Sequence, residues 1–72
     1  MELTTDQEQR RERLIGLILS AKTLPEIAQT RQMLQDWLAA HPDDLGITDG
    51  FDHLAMSRSL AENREAVQKL GA

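Results

Sequence analysis

Two histidines, His41 and His53, flank a run of acids at Asp43, Asp44, Asp49 and Asp52, and this is where the sequence first invites a chemical reading. Carboxylates and imidazoles close together are metal-ligand chemistry. A calcium loop needs oxygen ligands at fixed positions, a glycine at the sixth and a glutamate at the twelfth. Placing Gly50 at the sixth position puts Leu45 at the first and Met56 at the twelfth, so the pattern fails. Two histidines twelve residues apart, with no cysteine in the chain, also leave a zinc site incomplete. Helix capping is the simpler use of these aspartates. For nucleophilic catalysis there is no cysteine, no tyrosine, no glycine-rich phosphate loop and no Ser/His/acid spacing, so an enzyme is not expected. Neither a metal nor a cofactor is called for.

The basic residues cluster at Gln9-Arg10-Arg11-Glu12-Arg13, with Asp6, Glu8 and Glu12 interleaved and no aromatic residue for stacking on bases. This reads as a solvated helix face, with pairs such as Glu8 and Arg11 at i, i+3. Eight Lys and Arg stand against twelve Asp and Glu, for a net charge of −4. From Glu26 to Asp52 there are six acids and a single base, Arg31. Nucleic-acid binding draws its affinity from cations that displace counterions, so this balance argues against a nucleic-acid partner. A helix-turn-helix DNA-binding regulator is the weakest alternative: its recognition helix would carry Arg58, Arg64 and Lys69 against Asp49, Asp52, Glu62 and Glu65.

The elements that carry these residues are helical. Thr5-Asp6-Gln7-Glu8 fits a capping box and opens a first helix over 5–22. Its first two turns, Asp6 to Arg13, hold no apolar residue; Leu14, Ile15, Leu17, Ile18, Leu19 and Ala21 follow. A second capping box, Thr23-Leu24-Pro25-Glu26, opens a helix over 24–40 that Pro42 stops. Its main stripe is Ile27, Leu34 and Leu38, flanked by Leu24 and Ala28. Pro42-Asp43-Asp44-Leu45-Gly46 is turn chemistry, and Asp44 or Thr48 is placed to cap a third helix over 48–70. Connections this short make neighbouring helices antiparallel. The expected fold is all-α: one domain, a helical hairpin plus a long third helix in a three-helix bundle.

Two apolar features are surplus to one small core. In the third helix, Ile47, Phe51, Leu54 and Ala61 share one side, whereas Met56, Leu60, Asn63, Val67 and Leu70 share another at spacings of 4, 3, 4 and 3. That is the a/d rhythm of a coiled-coil seam carrying one polar residue, and a polar residue there fixes register. In the second helix, Met33 and Trp37 form an i, i+4 pair about 90° from the main stripe; Trp and Met are enriched at interface cores. The alternative for each is burial inside the same bundle.

Leu34, the ending His41-Pro42-Asp43-Asp44 and Phe51 in the next helix give the stretch from Leu24 onward a similarity to the second helix of a tetratricopeptide repeat. Trp37 and Thr30 fall where that family keeps alanine, and Asp52 where it prefers glycine. The resemblance covers about a third of the chain and implies protein–protein binding.

A chain of 72 residues without cysteine has no disulfide to reinforce a thin core, which leaves self-association or a partner as support. The expectation is a small helical protein–protein interaction or regulatory module, binding another protein or forming a homodimer. A self-assembling structural protein is the alternative. The polar, acidic start Met-Glu-Leu-Thr-Thr-Asp and the lack of a long apolar run lead us to expect a cytoplasmic location with no membrane partner.

Overall fold

The computed structural model describes residues 3–71. Three α-helices form an antiparallel bundle: α1 (Thr5–Ser20), α2 (Leu24–Ala40) and α3 (Asp49–Gly71), with a single 3₁₀ turn at Leu45–Ile47 ahead of α3.

α1 begins at Thr5, as expected, but its cap lies one residue earlier than expected. Thr4, not Thr5, is the cap: its hydroxyl accepts from the Gln7 N–H at 3.2 Å, and the Gln7 side chain accepts from the Thr4 N–H at 3.0 Å. Both threonines stand three residues before a residue able to close the box, and the reciprocal bond settles on the Thr4–Gln7 pair. α1 also ends at Ser20, two residues short of the expected end. Ala21 takes an extended conformation so that Thr23 can begin the next helix. There the Thr23 hydroxyl accepts from the Glu26 N–H at 3.3 Å and donates to Glu26 Oε1 at 2.7 Å, with Pro25 in the first turn.

The core consists of Leu14 and Ile18 from α1, Ala21 just past its end, Ile27, Leu34 and Trp37 from α2, Ile47 from the 3₁₀ turn, and Leu54 and Ala61 from α3. α1 contributes only Leu14 and Ile18, one turn apart, so only a strip of its wide apolar arc is buried and Leu19 stays exposed. On α2 the buried stripe is Ile27, Thr30, Leu34 and Trp37, with Leu38 half-buried and Ala28 exposed. This corrects the stripe read from the sequence. α2 touches both other helices and buries a broader face, and Trp37, one turn past Leu34, falls inside it. The first turn of α3 packs tightly on both other helices at Gly50: a Cβ there would lie 2.8 Å from Ile18 Cδ1 of α1 and 3.1 Å from Leu34 Cδ2 of α2.

α3 outruns its neighbours. Every described residue from Glu62 to Leu70 is exposed, whereas the buried apolar residues stop at Ala61. The molecule is accordingly long, 51 × 18 × 14 Å. Among the described residues, no helix is long and apolar enough to cross a membrane.

Candidate interaction surface

The coiled-coil-like set on α3 is open to solvent along its whole length. Met56 is 67% exposed, Leu60 60%, Val67 66% and Leu70 89%, and Asn63 is exposed between them. At 100° per residue the set is centred about 180° around the helix from Phe51, Leu54 and Ala61. The helix therefore has two apolar faces, one spent on the bundle and one facing away from it. Burial of both stripes in a single bundle, the competing expectation, does not occur.

The pair on α2 is placed differently. Of the two readings of Trp37, interface anchor or core residue, burial holds: it is 9% exposed and part of the core, whereas Met33 beside it is 38% exposed. Together they line a shallow groove of about 660 Å³ whose walls come from α1 (Gln7, Arg10, Arg13, Leu14) and the C-terminal part of α2 (Asp36, Ala40, His41). The ring of Trp37 lies against that of His41 at a centroid distance of 4.0 Å. The groove and the α3 stripe are separate surfaces.

What holds Trp37 in place is a group the sequence reading assigned elsewhere. Asp44 makes no well-formed side-chain capping hydrogen bond to the turn that follows it, although the Ile47 N–H helps to hold its pKa down. Its carboxylate is buried, 4% exposed, and accepts three hydrogen bonds: from Arg11 Nε to Oδ2 at 2.7 Å, from Arg11 Nη2 to Oδ1 at 3.1 Å, and from Trp37 Nε1 to Oδ2 at 2.8 Å. The forked guanidinium–carboxylate pairing is the strong form of an ion pair. Arg11 thus reaches from the polar end of α1 to the α2–α3 connection, and the expected surface pairing with Glu8 gives way to this longer reach. The Arg11 guanidinium holds the Asp44 carboxyl below the usual carboxylate range; burial opposes this and the Trp37 indole adds to it. The same bond raises the pKa of Arg11. In the sequence, the one hint of this node was Trp37 itself, because a buried indole N–H requires an acceptor. The node also gives position 37 a task that the alanine of a tetratricopeptide helix has no means to perform.

Among the described residues, no group of three or more His, Asp or Glu side chains could hold a metal ion, and no buried side-chain polar atom lacks a partner. On the outer part of α3, Arg58 Nε donates to Glu62 Oε1 at 2.9 Å, so part of the helix's positive charge is already paired. Comparison of the chain with protein-family models, with curated proteins and with solved structures finds no match.

Proposed function

We propose that this chain is a small, non-catalytic helical module that acts by protein–protein association, with the α3 stripe as its contact surface. The observation that carries the reading is the open set Met56, Leu60, Val67 and Leu70, on the side of α3 that the bundle does not use. Removing such residues from water is the main favourable term in most protein association. The overhang supports the same reading. An isolated helix shorter than about 12–15 residues is marginal in water, so the stretch beyond Ala61 gains from something packed against it.

The test compares the wild-type chain with Leu60→Asp. Each is co-expressed with a second, differently tagged copy and also presented to native lysate, and any bound chain is then reconstituted from purified components. A bound polypeptide, whether a distinct protein or the second copy, is expected with wild type and lost with Leu60→Asp. Because Leu60 is exposed, the variant should keep its helical circular dichroism. Failure of the wild type to hold any chain in a Leu60-dependent way overturns the proposal.

A further inference from the structure

We infer that the occupant of the α3 stripe is a second copy of this chain, the two α3 helices running parallel and in register. This rests on the reading of the stripe as a contact surface and specifies what covers it.

The first argument is polar matching. In heptad notation Leu60 and Val67 fall at a, and Met56, Asn63 and Leu70 at d. A parallel, in-register pair sets every seam residue against its own copy, so Asn63 meets Asn63. Each carboxamide has both donors and acceptors, and two of them satisfy one another across the seam. An antiparallel pair aligned over the same residues sets Asn63 against Leu60 and leaves a polar group facing hydrocarbon, which is costly. An unrelated apolar partner helix has the same defect.

Charge points the same way. Of Arg58, Glu62, Arg64, Glu65 and Lys69, only Arg64 borders the seam; the other border positions are Ser57, Ser59 and Ala66. In the parallel pair Arg64 faces Ser59 of the second copy, and no like charges are opposed. A chain of net charge −4 thereby presents itself with a nearly neutral face. One of the two heptads, with β-branched Val67 at a and Leu70 at d, has the arrangement that favours two strands.

Shape and area agree. The stripe lies opposite the face that packs on α1 and α2, so both bundles sit on the outside of the helix pair, clear of each other. The four apolar residues expose roughly 500 Å² per copy, or about 1,000 Å² for two before the border side chains are added, close to the lower limit for a specific interface. Such an area fits a dimer that dissociates on dilution.

The experiment combines sedimentation with cross-linking of the full chain. At several hundred micromolar the wild type should sediment at twice its mass of 8.1 kDa and return to the monomer on dilution, whereas Leu60→Asp stays monomeric with unchanged helicity. The chain has no cysteine, so Leu70→Cys introduces a unique thiol. In the parallel pair the two thiols meet, and mild oxidation should give a covalent dimer that the double variant L60D/L70C does not form. In the antiparallel pair they lie roughly 25 Å apart, and a dimer that fails to cross-link overturns the parallel register. A wild type that stays monomeric but binds a different polypeptide in a Leu60-dependent way overturns self-pairing and leaves the interaction reading standing. A monomer with no such partner overturns both.

Discussion

Asp44 carries more of the structure than any other single polar residue, because its carboxylate joins α1, α2 and the connection to α3. Asp44→Ala would leave the Trp37 N–H and the Arg11 guanidinium without their acceptor, and a loss of about 2–3 kcal/mol is expected in urea unfolding at neutral pH. Asp44→Asn keeps an acceptor for Trp37 and should cost less. The two variants separate further with pH. The folded pKa of Asp44 is lowered, so its charge contributes stability in full above the unfolded value of about 3.9 and loses that contribution as pH falls through the folded value. The advantage of wild type over Asp44→Asn should therefore be constant from pH 7 down to about 5 and shrink below about 4. An advantage that holds undiminished into strong acid would show that the charge is not what stabilises the node. Beyond the need of a buried Trp37 indole for an acceptor, none of this was legible in the sequence. Arg11 and Asp44 are 33 residues apart, and each had a local use, as a surface pair and as a cap, that spacing rules favour.

At the scale of elements, the helices were legible because each start carries its own chemistry. Thr4 with Gln7 and Thr23 with Glu26 close local hydrogen-bonded rings that need no tertiary context. Which face each helix buries was legible on α3, where the two stripes are well separated, and misread on α2, where Thr30 is buried despite its hydroxyl and Trp37 joins the core. Two glycines give opposed predictions. Gly16 is in mid-α1 with nothing within 4 Å of a Cβ, so Gly16→Ala should stabilise by about 0.5–1 kcal/mol. Gly50, in the first turn of α3, has less helix propensity to gain, and a Cβ there would press on the buried Ile18 and Leu34 side chains. A net loss of about 1 kcal/mol or more is expected. Thermal melts of the two variants side by side should shift in opposite directions, and a gain for Gly50→Ala would mean that the packing there is looser than described.

For the whole molecule, the radius of gyration is 14.3 Å, against about 11 Å for a compact chain of this length. The excess comes from the overhang of α3. Since every buried apolar residue described lies at or before Ala61, a chain ending after Glu62 should fold with a melting temperature within a few degrees of that of a wild-type monomer. It should give a smaller radius in X-ray scattering and lose the ability to associate. A truncated chain that fails to fold would place part of the stabilising surface in the overhang. Overall architecture was readable from the sequence because short connections and antiparallel neighbours leave few choices. The overhang was not, since it depends on where α2 begins relative to the far end of α3.

Trp37 is the only tryptophan of a chain with no tyrosine, and it lies between the carboxylate of Asp44 and the imidazole of His41. The protein therefore carries one strong ultraviolet emitter, placed where loosening of the bundle changes its colour and brightness at once. No described residue of α3 lines the groove beside that ring, so pairing and separation at the stripe should be optically silent. Emission recorded during dilution and emission recorded during denaturation would then report on two different events within the same molecule, without any added label.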